Sequence, residues 1–177
     1  AVQHRAVNLG QGFPDFEGPA ALHEALARHV REGRNQYAPM MGIPALRQAI
    51  ARKTQSLYGR AVDADQEITV TSGATEALFA AIHAVVRPGD EVIVLDPCYD
   101  SYEPAIELAG GRAVHIPLLA PEFGIDWQRV RDAITPRTRL FMMNSPQNPT
   151  GATISRSDLD TLAELLRDSE ILVLSDE

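Results

Sequence analysis

Hydrophobic positions in the first sixty residues follow the spacing of amphipathic helices. One helix is predicted over residues 20–32 and a second from Pro44 onward, with Gly33 and Gly59 as their stop signals. The apolar faces consist of Leu22, Leu26 and Val30 in the first helix, and of Leu46, Ile50 and Leu57 in the second. An irregular segment over 8–19 precedes both. We expect residues 1–60 to form an N-terminal part of their own.

Beyond residue 60, short apolar runs alternate with helical patterns. Strands are predicted over 68–71, 91–95 and 138–143, and two more are predicted, one that ends at Pro117 and one that begins at Leu172. Helices are predicted over 72–87, 127–134 and 158–167, and one more ends at Ala109. Such alternation predicts an α/β fold, with a mostly parallel sheet covered by helices on both faces in three layers. We expect residues 61–177 to form this part.

Composition narrows the class of protein. The 177 residues are 45% hydrophobic and carry a formal charge of −8, with the basic residues scattered along the chain. Nucleic acid binding is disfavoured, because a phosphate backbone requires clustered Lys and Arg. The chain has no apolar run of about 18 residues and no signal-peptide pattern. With a single cysteine, Cys98, these features predict a reducing, cytoplasmic location.

The most informative segment is the loop over residues 144–151, which reads Asn-Ser-Pro-Gln-Asn-Pro-Thr-Gly. Two prolines among polar residues predict a rigid turn directly after a buried strand. Asn148 would then stand at the carboxyl end of that strand, where open α/β sheets collect their ligands. By itself such a loop is more often a turn that has no function.

Three other strand ends carry chemistry. The small residues of 72–77 open a helix whose free N–H groups suit a phosphate, although small residues at such a turn often serve packing alone. Tyr99 follows the second strand, and Asp176 ends the last strand. A phosphate cradle, an aromatic face, an amide and an acid are together the groups that pyridoxal phosphate requires.

The order and content of these segments resemble the fold-type I, class I/II aminotransferases. The resemblance rests on Ser72-Gly73-Ala74-Thr75-Glu76-Ala77, Asp96-Pro97-Cys98-Tyr99, the 144–151 loop and Ser175-Asp176-Glu177. Two further stretches, 8–16 and 35–39 followed by Gly42, are similar to the branch that contains the kynurenine/glutamine transaminases and the bacterial methionine aminotransferases. The resemblance extends over essentially the whole chain and implies the large domain of the fold-type I enzymes, in truncated form.

The resemblance implies a role for each matching residue around pyridoxal 5′-phosphate. Backbone groups of Ala74 and Thr75, with Gly73 beside them, would hold the phosphate. Tyr99 would stack on the pyridine ring.

Four more positions complete the implied site. Asn148 would donate to the phenolic oxygen of the cofactor, and Asp176 would keep the ring nitrogen protonated, because a nearby negative charge favours the charged form. Gly12 would let the substrate carboxylate approach. Tyr37 would reach the phosphate of the neighbouring subunit, which implies a homodimer.

The main departure from the family pattern is the lack of a lysine that matches the catalytic one. The chain has one lysine, Lys53, in the predicted helix from Pro44, where a solvated surface position is expected. The resemblance puts the Schiff-base lysine, and later the substrate-carboxylate arginine, after Glu177. We therefore expect the chain to be the front part of a longer enzyme and inactive by itself.

The resulting hypothesis is an aminotransferase that moves an amino group from an L-amino acid, methionine or another hydrophobic or aromatic one, to a 2-oxo acid. Two alternatives remain open at this point. A carbon–sulfur β-lyase could use the same cradle, and an aminotransferase-like domain could act as a non-catalytic regulator.

The remaining polar residues predict no additional site. The five histidines show no spacing typical of metal ligands, so no metal is expected. Cys98 is interpreted as a packed thiol. Asp100 and Glu103 are expected to cap the helix that follows Tyr99. Ser155 and Asp158, three residues apart, form a loose variant of the capping box before the penultimate element.

Overall fold

In the computed structural model, residues 2–4, 6–8, 12 and 14–177 are described. The chain divides into one unit over residues 1–69 and another over residues 70–177. The functional division at residue 60, with substrate and dimer contacts assigned to the first part, stays a prediction.

The first unit contains a short 3₁₀ helix, Val2–His4, and the helices α1, Ala20–Arg31, and α2, Pro44–Tyr58. Both predicted helices are confirmed, and Gly59 ends α2 in the left-handed region, with φ of 67°. None of the described side chains of α1 is buried, so its predicted apolar face is solvent-exposed in this unit. Lys53 is exposed on α2, as expected.

The second unit is built on a four-stranded sheet with the order β2-β1-β3-β4, in which all neighbouring strands are parallel. Its strands are β1, Glu91–Asp96; β2, Arg112–Pro117; β3, Thr138–Asn144; and β4, Leu172–Asp176. Its helices are α3, Gly73–Val85; α4, Tyr102–Leu108; α5, Trp127–Ala133; and α6, Arg156–Leu166.

Helices cover both faces of this sheet. Val92 and Val94 of β1 pack with buried residues of α3 and α4. Ile93 and Leu95, which alternate with them, pack with buried residues of α5 and α6. Each of these fully buried aliphatic side chains contributes about 1.5–3 kcal/mol to folding. The predicted three-layer α/β/α architecture is therefore confirmed, and it is the large-domain architecture of the family that the sequence resembles.

The strand predicted over 68–71 is wrong. Among the described residues this segment pairs with neither edge of the sheet, and it leads directly into α3. Its β-branched residues favour a strand, and Ile68 is buried, but a strand also needs a neighbouring backbone for its hydrogen bonds.

Helix caps were predicted with mixed success. Ser155 and Asp158 form a reciprocal capping box at the start of α6, as expected. The caps predicted for α4 are wrong, because Ser101 occupies the N-cap position and no side chain caps it. Glu103 instead contacts His115 of β2. No helix among the described residues is long and apolar enough to cross a membrane.

Candidate functional site

Five of the predicted site residues line one open pocket at the carboxyl edge of the sheet, where all four parallel strands end. The pocket has a volume of about 320 Å³. Its lining consists of Ala74, Thr75, Leu78, Tyr99, Asn144, Asn148, Asp176 and Glu177. Ligands of open α/β sheets bind at this edge, and the strand order brings together segments that lie about a hundred residues apart in sequence.

The N-terminus of α3 supplies backbone donors to the pocket. Gly73 has φ of 81°, a conformation that favours glycine. The N–H groups of Ala74 and Thr75 have no acceptor among the described residues. The N–H of Ser72 donates to the carboxylate of Glu76 and is not available. Two free N–H groups at a helix start suit a phosphate, because the helix dipole also favours negative charge there.

The carboxylate of Asp176 is held by a tyrosine that the sequence did not indicate. The Tyr102 hydroxyl donates to Oδ2 of Asp176 over 2.5 Å. Tyr102 is only 3% exposed, and burial, together with the Asp176 carboxylate, raises the pKa of its phenol. The phenol therefore stays a donor and fixes the carboxylate at the end of β4, while Oδ1 of Asp176 has no hydrogen-bond partner among the described residues.

Sequence reasoning missed Tyr102 because its partner lies 74 residues away. The one local signal was a second tyrosine three residues after Tyr99, at the start of a predicted helix. The two rings meet edge to face, with centroids 5.9 Å apart and an interplanar angle of 72°. Tyr102 thus also supports the ring of Tyr99.

The side chain of Asn144 links the 144–151 loop to the neighbouring strand β4 by hydrogen bonds. Its Nδ2 donates to the backbone oxygen of Asp176 over 2.8 Å. Its Oδ1 accepts from the backbone N–H of Asn148 over 2.6 Å. One side chain therefore sets the position of Asn148 relative to β4.

Gln147 holds the same loop from inside and was also missed. Gln147 is buried, with 6% of the residue exposed. Oε1 of Gln147 accepts hydrogen bonds from the N–H of Thr150 over 3.0 Å and from the Thr150 hydroxyl over 2.5 Å. Nε2 of Gln147 donates to the backbone oxygen of Pro97. The loop is thereby linked to the segment that carries Tyr99. The amide side chain of Asn148 is exposed and forms no hydrogen bond with the described residues.

The donor set of this pocket fits pyridoxal phosphate. Backbone N–H groups, an aromatic ring, an amide and a carboxylate with one open oxygen are the groups that its phosphate, ring face, phenolic oxygen and pyridine nitrogen require. Gly73 stands beside the lining residues in α3.

Gly12 and Tyr37 belong to the first unit, which is described by itself. Both are exposed, Tyr37 completely. In the motif over 8–16, residues 9–11 and 13 lie outside the described residues. The roles implied for Gly12 and Tyr37 remain predictions.

Comparison with known proteins agrees with this description. Residues 4–177 match the family model "Aminotransferase class I and II". The chain is 55% identical to methionine aminotransferase of Escherichia coli over 177 residues, which is 100% of this chain and 46% of that protein. It is 36% identical to human kynurenine–oxoglutarate transaminase 3 over 188 residues, with 100% of this chain and 41% of that protein covered.

Solved structures give the same result. A crystal structure of an Escherichia coli protein with a methionine aminotransferase function superposes with a TM-score of 0.96 at 55% identity, covering 99% of this chain and 47% of that one. N-succinyldiaminopimelate aminotransferase of Mycobacterium tuberculosis superposes with a TM-score of 0.95 at 43% identity, covering 99% and 46%.

The chain spans about half the length of the relatives it matches. The family model nevertheless covers nearly every residue, and the superposition on the solved Escherichia coli structure covers 99% of this chain. Members of the matched family depend on pyridoxal phosphate. The chain belongs to the class I and II aminotransferases.

Proposed function

We propose that the protein carrying this chain is a pyridoxal-phosphate-dependent aminotransferase. Its amino donor would be methionine or another hydrophobic or aromatic L-amino acid, and its acceptor a 2-oxo acid. The observation that carries this proposal is the Asp176 carboxylate, fixed by Tyr102 at the pocket and open at Oδ1. The similarity to a methionine aminotransferase supports the choice of donor.

Each residue has a defined task in this proposal. When bound, pyridoxal phosphate supplies a ring that accepts negative charge from the substrate Cα. Asp176 holds the proton on the ring nitrogen, because an adjacent carboxylate stabilises the charged form. The Ala74 and Thr75 N–H groups bind the phosphate, Tyr99 covers one ring face, and Asn148 donates to the phenolic oxygen.

Proton transfer at the substrate Cα requires a base, and a lysine serves this purpose in Schiff-base enzymes. Lys53 is exposed on α2, an ordinary position for a surface lysine. We therefore expect the reactive lysine outside residues 1–177.

Borohydride reduction of the full-length gene product with pyridoxal phosphate, followed by peptide mass mapping, tests the proposal. We expect a pyridoxyl group on a single lysine outside residues 1–177, and turnover of L-methionine with a 2-oxo acid. Absence of label, or label only on Lys53, would contradict an aminotransferase and favour a regulatory domain. Pyruvate and a free thiol as products from a cysteine conjugate would favour a β-lyase.

We further propose a cytoplasmic homodimer, in which Tyr37 of one subunit reaches the phosphate bound by the other. The complete exposure of Tyr37 leaves its hydroxyl available for such a contact. Tyr37→Phe should weaken cofactor retention about tenfold, the typical effect of one hydrogen bond to a charged group. Dialysis followed by absorbance of the remaining cofactor measures this, with the exposed Tyr58→Phe as control. Equal retention in both variants would contradict a shared site.

A further inference from the structure

Asp96, Cys98 and His115 form a cluster that the chain order does not reveal. Asp96 ends β1, Cys98 follows it by two residues, and His115 lies in β2. One potential ligand atom from each residue lies within 4.8 Å of the others. The strand pairing explains their meeting: His115 is the register partner of Val94, so its side chain shares a face of the sheet with those of Val94 and Asp96.

The chemistry of the cluster is that of a transition-metal site. A thiolate, an imidazole and a carboxylate are the three ligand types that zinc takes in proteins, and three protein ligands leave the fourth position for water. Zinc bonds of about 2.0–2.3 Å directed to the corners of a tetrahedron separate ligand atoms by about 3.3–3.8 Å. Asp96 and His115 are partly exposed, with 35% of each side chain accessible. Binding would require the side chains to rotate until the ligand atoms, now within 4.8 Å of one another, reach this spacing.

The orientation of His115 adds an independent argument. Its Nδ1 lies 2.9 Å from Oδ2 of Asp96, and its Nε2 lies 3.3 Å from Oε1 of Glu103 on α4. A carboxylate that accepts from the outer nitrogen of an imidazole fixes the tautomer in which the inner nitrogen can bind a metal. With its proton on Nε2, His115 would donate to Glu103, and Nδ1, which faces Asp96, would be free to bind a metal.

Charge also favours a cation at this position. Among the ion pairs of the described residues, neither Asp96 nor Glu103 has an Arg or Lys partner, and both carboxylates contact the His115 ring.

We propose that Asp96, Cys98 and His115 bind a zinc-type divalent cation, with Glu103 as the positioning residue that orients His115. The bound ion would join the ends of β1 and β2 beside Tyr99. This inference is independent of the aminotransferase activity, because it concerns residues that have no part in the proposed reaction.

Titration of the chelator-treated, reduced holoprotein with Zn²⁺ and with Co²⁺ tests the site. Calorimetry gives the affinity, and the thiolate-to-cobalt absorption reports coordination by cysteine. We expect that absorption in the unmodified protein and its loss in Cys98→Ser. His115→Ala should lower the Zn²⁺ affinity at least about a hundredfold, because one of three ligands is removed, while His83→Ala should have no effect.

Glu103→Gln separates a metal site from adventitious binding to surface groups. It removes no ligand, yet it should lower the affinity about tenfold to a hundredfold through the orientation of His115. Glu107→Gln, one turn further on α4, is the matched control and should leave the affinity unchanged. Thermal melting and the absorbance of bound cofactor verify that each variant is folded.

Two results would overturn the proposal. One is an unmodified protein without the cobalt–thiolate absorption. The other is a Zn²⁺ affinity that is the same in the unmodified protein, Cys98→Ser and Glu103→Gln. Cys98→Ser is nearly isosteric and Glu103 is exposed, so the test stands on these two variants if His115→Ala does not fold.

Discussion

The two ends of the sheet each carry a carboxylate, and the two carboxylates differ in how many of their oxygens accept hydrogen bonds. At the amino ends of the strands, Glu91 is 1% exposed, and both of its oxygens are bonded. Oε2 accepts from the hydroxyl of Thr135 over 2.7 Å, and Oε1 accepts from Arg137 and Arg112, each over 2.9 Å. At the carboxyl ends, Asp176 has one oxygen bonded to Tyr102, and the other faces no described partner.

The difference separates a structural carboxylate from one that can act on a ligand. Hydrogen bonds from Thr135 and Arg137 lower the pKa of Glu91 to about 2. Donors within the protein thus already occupy both oxygens of this carboxylate. Asp176 borders a pocket beside the free N–H groups of Ala74 and Thr75. Of these two carboxylates, the one with an open oxygen therefore lies at the carboxyl edge of the sheet, which is the candidate site.

The largest effect is expected for Asp176→Ala. Turnover should fall at least about a hundredfold, the usual loss when one preorganised electrostatic group is removed. Borohydride labelling of the reactive lysine should fall much less, because it does not require a protonated ring. Steady-state kinetics and labelling measure the two effects, with exposed Asp168→Ala as control. Equal losses of turnover and labelling would contradict the role of Asp176.

Glu91→Gln should destabilise the protein and leave its turnover unchanged. The amide keeps the shape but loses hydrogen bonds to charged donors, at a cost of about 2–3 kcal/mol. The midpoint of urea denaturation measures this loss, and Glu107→Gln on the exposed side of α4 is the control. A fall in kcat with unchanged stability would mean that the two ends of the sheet do not differ in the way described.

Acid titration gives a second readout of Glu91. Its pKa in the folded protein is about 2, against an ordinary value of 4.5. Its stabilising contribution is therefore complete above about pH 4.5 and is lost as the pH falls towards 2, because the unfolded chain binds the proton first. The unmodified protein should lose stability over this range, and Glu91→Gln should show a correspondingly smaller change.

Gln147→Ala should weaken cofactor binding about tenfold. It leaves the Pro97 oxygen and the Thr150 donors without their partner, a loss of about 1–2 kcal/mol that falls on the loop carrying Asn148. Fluorescence titration with pyridoxal phosphate measures the affinity, and Gln128→Ala on the surface of α5 is the control. An unchanged affinity would mean that the loop keeps its position without Gln147.

The smallest effect is expected for Tyr102→Phe. The ring still packs, but Asp176 loses one donor, so kcat should fall about fivefold, equivalent to about 1 kcal/mol. KM for the amino acid should stay constant, because Tyr102 has no predicted contact with the substrate. Tyr58→Phe serves as control. A change in KM alone would assign Tyr102 to substrate binding instead.

The sequence predicted most of the elements because their signals are local. Helical spacing predicted α1 and α2, Gly59 marked the end of α2, and Ser155 with Asp158 marked the start of α6. The 144–151 loop and Asp176 could be assigned to strand ends from the runs that precede them. Where a signal needed a distant partner, it failed: residues 68–71 are all β-branched, which favours a strand, but they pair with no strand of the sheet.

The sequence by itself thus determined the α/β class, the position of each motif along the chain and the family. Only the tertiary structure decided which side chains meet. Tyr102 reaches Asp176, Gln147 reaches Pro97, and His115 reaches Asp96, each through the order and register of parallel strands. Local patterns encode an element because its hydrogen bonds and side-chain spacing repeat over neighbouring residues, whereas these contacts join segments that only the packed sheet brings together.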